Sequence, residues 1–365
     1  MVIDNTVHNF TNTFLNLYKK TSTIGDTAEI GVYPDLLRSS TEDTIYICGL
    51  SGFSNDSIIY EIQIGGIIAL PAMNDIPLWN NGGFELVRTH LMTGIDTKGL
   101  VPIKIQRNFM DFNGTFFTDS QGVTFGYEKL SGGRSLIVYP DYGVGASGEK
   151  IRLRAPASAG WMSGTLMPNT IKIGDRPTLH PQREFIMDGI NYELRELEIT
   201  LDSDYETSGW NQLTIYNISD QIFNNAYLNG YIKRSNLNAN IGVYPDIING
   251  NIGDSINIFG INGFTNAGTI PMNSIKIDGK PTVHPNIQII AGKFEMDTVI
   301  LMDSLNISAY NALVLNDGND THIFDTAVYR TMGAYNGPIW YVSTDTGNDA
   351  YNGSAVAPFA TIIRA

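Results

Sequence analysis

The chain has 365 residues and a formal net charge of −14, with 42% of its residues hydrophobic and 16% charged. Its size predicts two to four domains, and its composition excludes general disorder. The acidic balance and the scattered Lys and Arg residues exclude a nucleic-acid groove, which needs clustered basic side chains. No window has the ~18 apolar residues of a membrane-spanning helix, so no membrane span is expected.

The first predicted element is a short helix over residues 7–18, inside an N-terminal segment placed at 1–27. Val7, Phe10, Phe14 and Leu17 are spaced by three, four and three residues, which is the heptad spacing of a helical seam. A seam this short is marginal alone in water. Two interpretations stay open: a terminal helix docked on the next domain, or a peg for docking or self-association. The first residues lack the basic and apolar regions of a secretory signal, so synthesis in a cytoplasm is expected.

One short phrase occurs three times: "IGVYPD" at 30–35, "LIVYPD" at 136–141 and "IGVYPD" at 241–246. Its tyrosines, Tyr33, Tyr139 and Tyr244, are 106 and 105 residues apart, so the repeating unit is a whole domain. The stretch after each phrase alternates apolar and polar residues, which predicts a half-buried strand. The apolar pairs are Ile45 and Ile47, Ile151 and Leu153, and Ile256 and Ile258.

Each copy then predicts a hairpin and a closing strand. The hairpin turns are Gly65-Gly66, Gly174-Asp175 and Asp278-Gly279, residues that suit two-residue turns. The closing strands lie in 101–108, 211–217 and 311–317, and a tail read as a connecting hairpin follows each one. Roughly seven short strands per ~100 residues are typical of a two-sheet sandwich. The fold class is therefore all-β, with three tandem sandwiches at 28–135, 136–238 and 239–336, each including its connecting hairpin.

The third copy carries a family resemblance. Its order of "GDSINIFGINGF", "IKIDGKP" and "NALVLND" resembles the immunoglobulin-like IPT/TIG sandwich. The resemblance implies three Ig-like domains that act as spacers or interaction modules.

The C-terminal segment, 337–365, resembles the opening coil of right-handed parallel β-helices of the pectate-lyase type. The matching stretches are Tyr341-Val342-Ser343, Gly347-Asn348-Asp349, Asn352-Gly353 and Pro358-Phe359-Ala360-Thr361-Ile362. In that family a short helix caps the open end of the stacked coils. A cap alone cannot bury its own apolar face, so we expect further coils in a longer polypeptide.

Candidate reactive residues have simpler interpretations. His180 and His284 share one slot, in "TLHP" and "TVHP", but one histidine per domain does not make a metal set, so a structural role is predicted. Asp345 and Asp349 could contribute to a Ca²⁺ loop, although turn formation explains them better. The aspartates of the repeated phrase are expected to fix the entry turns. They are Asp35, Asp141 and Asp246.

Cys48 is the single cysteine, so no intrachain disulfide is possible, and its place in an alternating stretch predicts a small, buried strand residue. No nucleophile elbow, phosphate loop or paired carboxylate motif occurs in the sequence. We therefore predict no catalytic residue, no cofactor and no metal, and we do not expect this segment to be an enzyme.

An N-terminal peg, tandem sandwiches and the start of a β-helix resemble the virion-proximal part of a bacteriophage tail fibre or tail spike. The resemblance implies a homotrimer, assembled in the host cytoplasm and located in the virion tail, with other tail or baseplate proteins as partners. A distal β-helix would bind or degrade a host surface glycan. Two alternatives stay open: the stalk of a bacterial surface adhesin, and the accessory region of a β-helix enzyme that degrades polysaccharides.

Overall fold

The chain is all-β in the part that the computed structural model describes. That part comprises residues 2–3, 6–7, 17–41, 43–54, 58–70, 76–79, 81–95, 98–108, 113–117, 123–206, 208–305 and 309–328. Within these ranges the chain forms 37 strands and no helix. None of the described residues therefore forms a helix that could cross a bilayer. The all-β class predicted from the composition and the alternating patterns is confirmed.

The helix predicted over 7–18 is wrong at both of its ends. Strands β1 (Val2–Ile3) and β2 (Thr6–Val7) form an antiparallel hairpin, and Tyr18 begins strand β3 (Tyr18–Thr21). Phe10 and Phe14 lie outside the described residues. A heptad and a half cannot hold a helix by itself, whereas an extended Tyr18 can pair with the sheet that follows.

Strand pairing defines three modules. Module one, residues 18–125, contains β3, β4 (Glu29–Tyr33), β5 (Leu36–Leu37), β6 (Thr44–Ser51), β7 (Ile58–Ile59), β8 (Glu61–Ile64), β9 (Ile67–Leu70), β10 (Ile76–Pro77), β11 (Phe84–Leu91), β12 (Gly99–Val101), β13 (Ile103–Gln106), β14 (Thr115–Phe117) and β15 (Val123–Phe125). Module two, residues 127–229, contains β16 (Tyr127–Ser131), β17 (Arg134–Tyr139), β18 (Tyr142–Gly143), β19 (Lys150–Ala155), β20 (Gly164–Leu166), β21 (Lys172–Ile173), β22 (Arg176–Leu179), β23 (Arg183–Asp188), β24 (Asn191–Leu201), β25 (Gly209–Asn217) and β26 (Ser219–Asn229). Module three, residues 231–328, contains β27 (Tyr231–Arg234), β28 (Asn240–Tyr244), β29 (Ile247–Ile248), β30 (Ser255–Asn262), β31 (Ala267–Ile270), β32 (Lys276–Ile277), β33 (Lys280–Val283), β34 (Ile287–Ile290), β35 (Lys293–Leu301), β36 (Ala309–Asn316) and β37 (Thr321–Val328).

Modules two and three have the same topology. Their strand orders are β16-β17-β19-β24-β22-β21-β25-β26-β18 and β27-β28-β30-β35-β33-β32-β36-β37-β29. Module one repeats the main path as β3-β4-β6-β11-β9-β8-β13-β14, with β5 paired in parallel to β15. The tails after the closing strands are thus integral: β26 pairs along β25, and β37 along β36. In modules two and three the opening strand pairs with the Tyr-Pro-Asp strand that follows it. The domain boundaries drawn from the sequence at 28, 136 and 239 stay predictions.

Each module has its own hydrophobic core, as three tandem sandwiches require. The six alternating residues predicted to face inward are all fully buried: Ile45, Ile47, Ile151, Leu153, Ile256 and Ile258. They belong to three separate clusters, one per module. A small fourth cluster, Leu36, Ile137 and Tyr139, joins residues of modules one and two.

Two local features recur in all modules. The predicted two-residue turns close the hairpins at 65–66, 174–175 and 278–279. The strand that pairs with the second strand of the hairpin (β11, β24 or β35) also carries a β-bulge, where its register shifts between Phe84 and Val87, between Leu194 and Leu197, and between Phe294 and Asp297. A bulge turns side chains away from the regular pleat. In the three modules the residues within the bulge are 85–86, 195–196 and 295–296.

Candidate functional site: the junctions between modules

Each module carries a surface that we call its connector. The Tyr-x-Lys strand that opens the module (β3, β16 or β27) lies beside the Tyr-Pro-Asp strand, and the lysine of the first pairs with the aspartate of the second. The Nζ to carboxylate distances are 2.7 Å for Lys20–Asp35 and 2.6 Å for Lys233–Asp246, and Lys129 makes the same pair with Asp141. The peptide bond before the proline is cis in all three copies. The connectors comprise Tyr18, Lys20, Tyr33, Asp35 and Leu36 in module one, Tyr127, Lys129, Tyr139, Asp141 and Tyr142 in module two, and Tyr231, Lys233, Tyr244, Asp246 and Ile247 in module three.

The repeated aspartates were predicted from the sequence to fix entry turns, whereas the lysines that pair with them were not predicted. The signal was available, because a Tyr-x-Lys triplet precedes the Tyr-Pro-Asp phrase by 12 to 15 residues in every copy: "YKK" at 18–20, "YEK" at 127–129 and "YIK" at 231–233. The three lysines stand opposite equivalent residues of the neighbouring strand: Ile30, Leu136 and Ile241. The ion pair is therefore a repeated feature of the module.

The connector of one module docks on the bulged sheet of the next, which we call the receiving face. A single glycine links the two in sequence, Gly126 at the first junction and Gly230 at the second. Both glycines donate their N–H to an equivalent carbonyl at 2.9 Å, that of Leu37 and that of Gly143. Two junctions with diverged side chains thus share one backbone geometry.

The first junction is an ionic network around Asp35, which is 2% exposed. Its carboxylate contacts Lys20 of its own module and Arg152 of module two. Its backbone N–H donates to Glu196 Oε2 at 3.2 Å, and Glu196 lies in the module-two bulge. Burial, and then the charge of Glu196, raise the pKa of Tyr18. Two cations alternate with two carboxylates, so the charges are balanced where solvent is excluded.

The second junction replaces that network with a carboxylate held by three tyrosines of module two. The hydroxyls of Tyr139 and Tyr142 donate to Oε1 and Oε2 of Glu295 at 2.6 and 2.7 Å, and Tyr127 donates to Oε2 at 3.3 Å. Burial raises the pKa of Glu295 to about 7, against the smaller opposite effect of the tyrosine hydrogen bonds. Tyr142 also packs on Phe259 of module three, with ring centroids 4.5 Å apart.

Small residues make room for these contacts. A Cβ added at Gly242 would lie 2.0 Å from Phe259, and one added at Gly126 would lie 2.0 Å from Ile137 and 2.9 Å from Leu36. Gly99 of module one approaches the same centre, since its added Cβ would lie 2.2 Å from the Glu295 side chain. All three modules therefore meet at Glu295.

A cavity of about 340 Å³ opens beside this meeting point. Residues from every module line it, including Leu100, Tyr139, Tyr142, Tyr227, Phe259 and Glu295. Both carboxylate oxygens of Glu295 already accept hydrogen bonds from tyrosines. The arrangement is suited to holding modules in a fixed orientation, and we assign it no reaction.

Of the four residues predicted for docking or self-association, only Leu17 has a described packing position. Its side chain covers Gly31 on the outer face of module one, where an added Cβ would lie 2.8 Å from Leu17 Cδ1. Val7 is in β2, opposite Val2. Phe10 and Phe14 lie outside the described residues, so the proposed common face of the four is untested.

The repeated histidines have structural contacts. His180 Nε2 accepts from the N–H groups of Thr170 and Ile171 at 2.9 and 3.0 Å, and His284 Nε2 accepts from Ile275 at 3.0 Å. In each ring Nδ1 faces the carbonyl of the following proline, at 2.9 and 2.8 Å. Burial lowers both pKa values. The neutral ring with a proton on Nδ1 satisfies every one of these bonds, so the structural interpretation is confirmed.

The remaining candidate residues give no ligand set. Among the residues that the structure describes, no three His, Cys, Asp or Glu side chains converge as a metal site. His8, Asp345 and Asp349 are outside those residues. Cys48 is a free, half-buried thiol rather than the buried one predicted, because it lies on the outer face beside Gly31.

Comparison with protein-family models and with curated proteins finds no match to this chain. The class defined here is thus architectural: an all-β chain, rich in β-sandwich structure, whose modules are joined through buried connectors.

Proposed function

We propose that this segment is a structural virion component, the virion-proximal attachment and spacer region of a phage tail fibre or tail spike. The observation that carries the proposal is the pair of junctions, in which a one-residue link is combined with buried charged or tyrosine–carboxylate contacts. Contacts between domains of one chain are usually small and polar and allow relative motion. The two junctions of this chain differ from such contacts, because they bury charged and tyrosine–carboxylate groups, and they therefore favour a stiff stalk.

Stiffness matters for this role because a tail fibre must set the distance between the particle and its receptor. A flexible linker of even a few residues would let each module sample many orientations. Here Gly126 and Gly230 are each tied by a backbone hydrogen bond and bordered by packed side chains. Orientation is thus fixed from one module to the next, and reach grows with the number of modules.

The finer fold assignments belong to the same proposal. Each module is proposed to be an Ig-like sandwich of the IPT/TIG kind, and 337–365 to open a parallel β-helix. The distal β-helix would bind or degrade a host surface glycan, and three chains would assemble side by side. The N-terminal segment with Val7, Phe10, Phe14 and Leu17, together with module one, would dock on another tail or baseplate protein.

Gold-labelled antibodies against module two provide the test. Labelling of the tails of intact particles is expected, and labelling of the surface of uninfected bacteria would instead support an adhesin stalk. Polysaccharide cleavage by the full-length protein would separate a degrading spike from an adhesive fibre. Negative-stain images should show modules in a constant arrangement; images in which their mutual angles vary freely would contradict the stiff stalk.

A further inference from the structure

The third connector has the features of the first two but presents them to solvent. Leu36 is fully buried at the first junction, and its equivalent at the second, Tyr142, packs on Phe259. Their equivalent in module three, Ile247, is 60% exposed, and Tyr231 is 47% exposed, compared with 37% for Tyr18 at the first junction. The lysine–aspartate pair that supports the connector is nevertheless present, as Lys233–Asp246.

The path of the chain beside each connector is also repeated. The last strand of a module runs parallel to the two-residue strand that follows the Tyr-Pro-Asp phrase (β5, β18 or β29), so that Phe125 stands opposite Leu37, and Asn229 opposite Gly143. In both cases the next residue is the linking glycine, and the chain passes directly into the receiving face. In module three Val328 stands opposite Ile248 in the same parallel pairing. The chain therefore leaves module three beside Ile247, as it leaves the earlier modules beside Leu36 and Tyr142.

We propose that the third connector is a docking surface for the chain's own continuation, residues 329–365, which cover Ile247 and Tyr231. The two internal junctions are the precedent, because each connector is covered by the residues that follow its module. The sequence of the continuation differs from the start of a further module of this type, since "YRT" at 329–331 stands where "GYIK" follows module two. This inference goes beyond the proposed function and does not depend on it.

A second copy of the chain is the competing occupant, and the structure favours it less. Its receiving face would be that of module one, where Glu85 occupies the bulge position of Glu295 and is exposed. There, however, Leu17 already covers Gly31, the equivalent of Gly242 at the second junction. A second copy would have to displace Leu17, whereas the continuation at Val328 already starts beside the connector.

Thiol labelling of the full chain tests the proposal. In a Cys48→Ser background, Ile247→Cys is compared with Ile252→Cys, whose position in the same module is 67% exposed and outside the connector. We expect the thiol of Ile247→Cys to react at least about tenfold more slowly, because burial of one isoleucine side chain corresponds to a factor of ten or more in an opening equilibrium. Equal rates would overturn the proposal. Protection that appears only as the protein concentration rises would assign the surface to a second copy and overturn it too.

Limited trypsin digestion gives a second measurement in the full chain. Arg330 is two residues beyond Val328, so its cleavage reports on the continuation. Ile247→Asp should increase the cleavage rate at Arg330 by about tenfold, while the matched Ile252→Asp leaves it unchanged. An unchanged rate in Ile247→Asp, or an equal increase in both variants, would refute the docking.

Discussion

The Glu295 centre yields a quantitative prediction, because one titratable group joins two modules through three tyrosines. Glu295→Gln keeps the size of the side chain and a carbonyl that accepts hydrogen bonds, but it removes the charge. In the wild type the pKa of Glu295 is about 7, compared with an ordinary 4.5, so ionisation of this carboxyl is costly in the folded protein. A difference of this size corresponds to roughly 3 kcal/mol when the group is fully ionised. Glu295 keeps some solvent exposure beside the cavity, so this figure is an upper limit.

The sign follows from the raised pKa. The folded protein binds the Glu295 proton more tightly than the unfolded chain does. The protonated carboxyl therefore makes its full contribution to the free energy of unfolding below about pH 4.5. This stabilisation declines as pH rises and is lost above about pH 7. The wild type should therefore lose up to roughly 3 kcal/mol relative to Glu295→Gln between about pH 5 and about pH 8.

Urea unfolding of the two proteins across this pH range is the assay. Taking the difference between the two curves cancels the titration of groups that they share. Glu85→Gln is the matched control, because Glu85 has the same bulge position in module one but is exposed, so its curve should follow that of the wild type. Parallel curves for the wild type and Glu295→Gln would refute the reasoning and mean that the carboxylate stays solvated.

The other predictions concern single contacts. Asp35→Asn should destabilise the first junction by about 3–5 kcal/mol in urea unfolding, since it leaves buried cations unbalanced, while Lys150→Met in an exposed ion pair should change stability by less than ~1 kcal/mol. Gly242→Ala should cost about 1–3 kcal/mol of thermal stability through its overlap with an aromatic ring; Gly164→Ala, with nothing closer than 3.7 Å, should cost about as little as a surface change. His284→Gln should lower stability by about 1–3 kcal/mol at pH 7. Because burial lowers the His284 pKa, the wild type should lose stability as pH falls below about 6.5, and this variant should lose less.

The cores and hairpins were predictable because their signal is local and periodic. Alternation placed Ile45 and Ile256 inside correctly, and turn dipeptides such as Asp278-Gly279 marked the hairpins. The N-terminal helix failed for the opposite reason. A few residues at heptad spacing fit an amphipathic helix, but their preference is weak compared with strand pairing to an adjacent sheet. Tyr18 thus lies in an edge strand opposite Val32.

The junctions were not predictable from the repeated phrase alone, because their partners come from different modules. Asp35 and Glu196 are 161 residues apart, and no periodicity connects them. The bulge that presents Glu196 and Glu295 also leaves only a faint trace in sequence, since one inserted residue shifts the alternation without a turn signal. Contacts of this kind require a three-dimensional placement of both partners.

The residue immediately before each Tyr-x-Lys strand nevertheless distinguishes a receiving face from a face that the module covers itself. It is Gly126 or Gly230 where the preceding module docks, and Leu17 where the module covers its own sheet. The physical reason is space: a Cβ added at Gly126 would overlap Ile137 and Leu36, and one added at Gly230 would crowd the ring of Phe259 at 3.1 Å. On module one the same position carries the side chain that covers Gly31. A glycine at this position thus predicts a receiving face, and a large apolar residue predicts a self-covered one, which gives the series of modules a fixed direction.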